Sequence, residues 1–145
     1  MSRQALVFCL TLAAVAGACR GREPEPEVAA ASPTLRTDVK VTDISLGRAV
    51  DTSRRVAEPL ETFAPADTIY ASVVTEGTAR HGVLKGRWTY QDSEVLSEAS
   101  LEIAPTGTTA TEFHVSRPDG LRPGSYQVEI LFDGASAGKR AFLVK

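Results

Sequence analysis

From residue 39 onward, apolar residues recur at every second position in short runs separated by Gly, Pro, Asp and Ser. The clearest run is 121–134. Pro123-Gly124 makes a turn; Tyr126, Val128, Ile130 and Phe132 then alternate with Gln127, Glu129 and Leu131; Asp133-Gly134 reverses the chain. Successive side chains of a strand point to opposite faces, so period-two alternation between turn signals predicts a strand with one buried face. This stretch predicts the central strand of a β-sandwich, and the other strands are arranged around it.

Taken in chain order, Asp38–Leu46 predicts the first strand. Val39 and Val41 share one parity and Ile44 and Leu46 the other, so the slip near Thr42-Asp43 predicts a bulge or a change of sheet. Arg48–Asp51 predicts a short strand, and the irregular stretch Arg54–Pro65 offers Val56, Leu60 and Phe63 to cover one end of the core. Asp67–Thr75 turns Ile69, Ala71 and Val73 to one side. Val83–Tyr90 sets Leu84, Trp88 and Tyr90 against Lys85, Arg87 and Thr89, with Gly86 on the inner face, where it leaves room for a neighbour. Val95, Leu96, Leu101 and Ile103 mark one or two further strands, closed by Pro105 and Gly107. Thr108–Ser116 turns Thr111, Phe113 and Val115 inward. A turn over 133–138 then leads to Arg140–Val144, with Phe142 and Val144 inward. No helical period appears. The fold class is all-β: a single sandwich of seven to eight antiparallel strands over residues 38–145, its turn-rich crossing at 117–124 suiting Greek-key wiring.

The beginning of the chain is of another kind. Arg3 precedes an apolar and small run from Ala5 to Ala18, broken only by Thr11. It is shorter than the roughly 20 apolar residues a bilayer span needs, and it has the layout of a secretory signal peptide over residues 1–18. It ends Ala16-Gly17-Ala18-Cys19, which resembles the bacterial lipobox, although Ala16 stands where that pattern usually has Leu. The resemblance implies that Cys19 is lipidated and becomes the mature N-terminus, anchoring the protein to a membrane. Ala16-Gly17-Ala18 also suits an ordinary signal peptidase, which would leave a soluble periplasmic or secreted protein with a free thiol. Arg20, where such lipoproteins often carry Asp for inner-membrane retention, points to the outer membrane, facing the periplasm. Residues 19–37, rich in Pro, Glu and Ala and without aromatics, predict a disordered tether.

Composition narrows the function classes. The 145 residues carry a net charge of −2, which gives no electrostatic footprint for nucleic acid. Asn is absent, so no N-glycosylation acceptor exists. Cys9 leaves with the signal peptide and Cys19 is the anchor, so the mature domain has no intrachain disulfide. Leu121-Arg122-Pro123-Gly124-Ser125-Tyr126-Gln127-Val128 resembles the approach to the sixth strand of fibronectin type III and related immunoglobulin-like modules. The resemblance implies a Tyr126 hydroxyl bonded back to the preceding corner and a Trp88 buried on an earlier strand. The stretch Phe63–Tyr70 is also similar to exported bacterial proteins of unassigned role and brings no activity with it.

No residue pattern specifies a reaction. His81 and His114 lack further ligands at metal spacing, so no metal and no cofactor are expected. There is no G-x-S-x-G elbow, and the acids are scattered rather than paired. Asp92/Glu94 and Asp119/Asp133 lack a D-x-D run for calcium. Arg80, His81, Lys85 and Arg87 group around one strand and form a candidate ligand site for an anionic glycan or other polyanion; the competing reading is an ordinary solvated strand face. Trp88, Tyr126, Val128 and Ile130 are the core markers; Tyr70, Trp88, Tyr90 and Tyr126 together offer the makings of a sugar platform, but the chain has few other large residues to fill a sandwich, so all four are expected in the core. The expectation is a membrane-anchored, non-enzymatic protein-binding or envelope assembly module with an envelope protein partner.

Overall fold

The computed structural model describes residues 38–145; the signal peptide, Cys19 and the tether lie outside the described residues. Among the described residues eight strands occur and no helix: β1 (Lys40–Gly47), β2 (Thr62–Phe63), β3 (Ile69–Glu76), β4 (Gly82–Tyr90), β5 (Glu94–Ile103), β6 (Thr109–Val115), β7 (Gly124–Phe132) and β8 (Ala135–Val144). They form two sheets, ordered β1-β3-β6 and β2-β8-β7-β4-β5. The chain visits the larger sheet briefly at β2, between β1 and β3, and changes sheet again between β3 and β4, between β5 and β6, and between β6 and β7. This is the Greek-key wiring of immunoglobulin-like sandwiches. The smaller sheet lacks the fourth strand that constant-type domains carry on that side.

The alternation read from the sequence sorts the side chains. Tyr126, Val128 and Ile130 of β7 face Phe113 and Val115 of β6 and Ile69, Ala71 and Val73 of β3 across a closed interior, with Leu84 and Trp88 of β4 between them. Burying a large aliphatic side chain stabilises by about 1.5–3 kcal/mol, and no disulfide ties the described sandwich, so this layer supplies its main cohesion. Four aromatic rings meet in it: Tyr126 lies against Phe142 at 5.3 Å, and Phe142 meets both Trp88 and Phe63 edge-on.

Four details differ from the sequence expectation or sharpen it. The slip near Thr42 is a bulge, between Val41 and Asp43 in the β1–β3 ladder. Arg48–Asp51 forms only an isolated bridge, Val50 to Val56, because the chain there loops around Arg54. Phe63 does cover the core, but as part of β2, which pairs parallel to β8, so the sheets are not wholly antiparallel. The turn expected over 133–138 is confined to Asp133-Gly134, with φ of 47° and 85°. Two positive φ values suit the two-residue turn that matches strand twist, so β8 begins at once at Ala135.

Candidate functional site

The outer face of the larger sheet carries the basic residues singled out above. Arg87 of β4 stands opposite Glu98 of β5 on one side and Glu129 of β7 on the other, and Glu129 stands opposite Lys139 of β8. Residues directly opposite on one face interact, so these four make a row of alternating charge across four strands. Arg87 Nε donates to Glu98, while Arg87 Nη1 lies 3.8 Å and Lys139 Nζ 3.6 Å from Glu129. The Arg87 hydrogen bond holds Glu98 below the usual carboxylate range and raises Arg87 in turn. Glu129 is also lowered, first by the Ser136 hydroxyl and then by Lys139 and Arg87. His81 lies 3.7 Å from Glu102, and both are exposed. Arg80 is exposed and Lys85 half-buried. Lys85 and Arg87 lie on β4 and Arg80 and His81 just before it, and the acids that meet them come from β5 and β7, so Arg87 spends its charge within the sheet.

At one end of the sandwich a second polar cluster locks a corner. The Tyr126 hydroxyl donates to the Arg122 carbonyl at 2.7 Å, the back-bond that the resemblance implied. Arg122 lies over the Tyr90 ring, 4.3 Å from its centroid, and donates to Glu94; the Tyr90 hydroxyl donates to the Pro123 carbonyl. Trp88 is buried on β4 as expected, and its indole N–H has no partner among the described residues. Tyr70, expected in the core, sits instead on the outer face of the smaller sheet against His114, because its parity on β3 is opposite to that of Ile69, Ala71 and Val73. The aromatics thus divide between core, corner and surface and form no platform. Among the described residues no three His, Cys, Asp or Glu side chains converge as a metal site.

What remains is the treatment of the strand edges. An unpaired edge presents free N–H and C=O groups to any other strand, and folded proteins blunt it with bulges, inward charges or a covering segment. The seam between β1 and β8 has all three. Bulges interrupt both strands, β2 covers the end of β8, and Arg140 points inward from β8 and donates through Nε to the Ile44 carbonyl at 2.7 Å. The opposite side is different. β5 is a ten-residue edge strand with no Lys, Arg or Pro, and its one bulge, at Leu96, lies near its start. Its partners on β4 are Gly82, Leu84, Gly86 and Trp88, so Ile103, Leu101, Ala99 and Ser97 face the interior side of the sheet. Leu84 is fully buried, yet Leu101 beside it is 43% exposed, because a sheet of five strands overhangs one of three. Val95, on the same strand, is 53% exposed.

Neither edge feature was singled out in the sequence. The inward course of Arg140 was readable from its parity with Phe142 and Val144. The openness of Leu101 was not, because it depends on a strand missing from the other sheet.

No protein-family model and no curated protein matches the chain. Among the solved structures similar to it are three of differing context. An immunoglobulin-like protein from Pseudomonas aeruginosa is 10% identical, with a TM-score of 0.49, over 75% of this chain and 98% of that one. The alkylpurine DNA glycosylase AlkC from Pseudomonas fluorescens, bound to DNA containing an abasic site analog, is 18% identical, with a TM-score of 0.48, over 75% of this chain. A mutant β-glucosidase from Listeria innocua in complex with laminaribiose is 6% identical, with a TM-score of 0.48, over 76% of this chain. The chain spans 31% of the glycosylase and 16% of the glucosidase.

Proposed function

We propose that this protein is an exported bacterial lipoprotein whose sandwich is a non-enzymatic protein-binding or envelope assembly module. Cys19 carries the lipid, the segment 19–37 is the spacer, and the domain is held at the outer membrane on the periplasmic side. The observation that supports a binding role is the β5 edge: an inward-facing Leu101 left open on a long strand that has no inward charge beside it and whose one bulge, at Leu96, lies five residues away. Strand addition to such an edge uses backbone hydrogen bonds for affinity and alternate side chains for specificity. The row of alternating charge argues against a polyanion as the ligand, since each acid in it would repel one.

The test is in-cell cross-linking of the tagged full-length chain through a photoreactive residue at position 101, followed by detergent extraction and mass spectrometry. A reproducible protein adduct at position 101 is the expected result, and its absence overturns the binding role. Mass analysis of the mature N-terminal peptide tests the anchor separately: a lipid adduct on Cys19 is expected, and an unmodified thiol refutes it.

A further inference from the structure

We infer that the seam between β1 and β8 holds a binding site for the C-terminal carboxylate of a peptide whose last residue is apolar. The site is separate from the β5 edge and does not depend on it. β1 and β8 are not paired, and a cleft of about 590 Å³ opens between Ile44 and Leu46 on one wall and Arg140 and Ala141 on the other. A volume of that size suits a small ligand. One end of the cleft is spanned by the segment before β2: Leu60 N–H donates to the Leu46 carbonyl at 2.7 Å, and Leu143 N–H to the Glu61 carbonyl at 2.9 Å. Arg140 spans the seam at Ile44, where its Nε donates to the carbonyl at 2.7 Å. That bond fixes the guanidinium and leaves its two Nη groups without a protein acceptor among the described residues. Arg48, Arg87 and Arg122 are each matched by an acid, whereas Arg140, which lines the cleft, enters no salt bridge among the described residues. A planar fork with both Nη groups free is shaped for the two oxygens of a carboxylate.

Three features select a chain end as the bearer of that carboxylate. Arg140 crosses the seam, so an extended segment cannot run past it and must stop there. The walls offer backbone groups. Leu143 N–H points away from β7, so Ala141, two residues earlier on β8, turns its N–H and C=O the same way, and β2 pairs only with Leu143 and Val144. Leu46 N–H faces the cleft with its carbonyl for the same reason. A free organic acid would leave these groups unused; a peptide would bond to them. The floor is apolar, made by buried Ile44 and Leu46 and half-buried Leu60, and receives the last side chain.

The test is a titration of the 15N-labelled full-length chain in detergent, followed by amide NMR shifts. The probes are N-acetylated alanyl-alanyl-leucine as the free acid, the same tripeptide as its C-terminal amide, and N-acetyl-leucine. The free acid is expected to bind about tenfold more tightly than the amide, to bind more tightly than N-acetyl-leucine, and to shift the amides of Leu46, Leu60 and Ala141. Arg140→Lys keeps the charge without the fork and is expected to weaken binding of the free acid about tenfold. Glu61→Gln, an exposed change at the rim, removes a like charge and is expected to tighten it roughly threefold. No binding of the acid, equal binding of acid and amide, or shifts confined to another part of the sandwich overturns the inference. N-acetyl-leucine bound as tightly as the tripeptide also overturns it, because the strand walls would then contribute nothing. None of these outcomes bears on the β5 edge, which the cross-link at position 101 tests separately.

Discussion

Phe113, on the smaller sheet, fills the space that a side chain on Gly86 of the larger sheet would need: a methyl carbon there would lie 2.9 Å from Phe113 Cγ and 3.1 Å from Cδ1. The glycine is thus one half of a packing pair, and the ring crosses the sandwich to reach the backbone of β4. Gly86→Ala is expected to destabilise the domain by roughly 1–3 kcal/mol through overpacking. Combined with Phe113→Leu, it should cost less than the sum of the two single changes, with a coupling of about 0.5–3 kcal/mol in a double-mutant cycle. Strict additivity in urea denaturation would show that the two positions do not share this space.

Tyr126 offers a cleaner deletion, because its ring packs on Phe142 while its hydroxyl alone serves the Arg122 carbonyl. Tyr126→Phe is expected to cost about 1 kcal/mol, the net worth of an ordinary hydrogen bond. Burial first, and the neighbouring Tyr90 second, push the Tyr126 hydroxyl above the ordinary tyrosine value. The folded state therefore favours the neutral phenol. Its contribution is complete below the unfolded value near ~10 and is lost as pH rises through the folded one. A tyrosinate absorbance titration should show a late-ionising tyrosine that vanishes in Tyr126→Phe. Its persistence in the variant would assign it elsewhere.

Much of this fold was legible because alternation and turn chemistry are local. Val128, Ile130 and Trp88 lie buried where period two put them, and the slip near Thr42 was a bulge. What stayed hidden depends on distant partners. Thr62-Phe63 is too short to show a period and becomes a strand only because β8 lies beside it. The partners of the basic group at 80–87 were not legible, because strand register is what sets Glu98 and Glu102 of β5 and Glu129 of β7 beside it. Leu101 looked like any strand residue, and its openness follows from a count of strands in the opposite sheet.

Trp88 tests the core directly. It is 1% exposed and meets Phe142 edge-on at 5.9 Å, so Trp88→Ala should cost roughly 3–5 kcal/mol. Trp88→Phe leaves a smaller void and removes a buried N–H that has no partner, a group whose desolvation costs about 1–3 kcal/mol. Its cost should therefore be less than half that of the alanine variant. An unchanged denaturation midpoint for Trp88→Ala would place the ring outside the core.

Arg140 tests the contrast between the two sides of the sandwich. Its Nε reaches the Ile44 carbonyl across the β1–β8 seam, and Gly138 leaves room for the Ile44 side chain beside it. Arg140 as a whole is exposed, so solvent screens it and the stability lost in Arg140→Ala should be small, about 1 kcal/mol. The larger effect should be on association. With the inward charge gone, the free edge of β1 is open to another strand, and light scattering should grow with concentration faster than for the parent chain. Arg140→Lys keeps the charge without the directed N–H, and an intermediate rate would show that charge and hydrogen bond both guard the seam. If Arg140→Ala associates no faster than the parent, the bulges at Thr42 and Ala137 and the β2 segment suffice, and the inward arginine is a packing residue only.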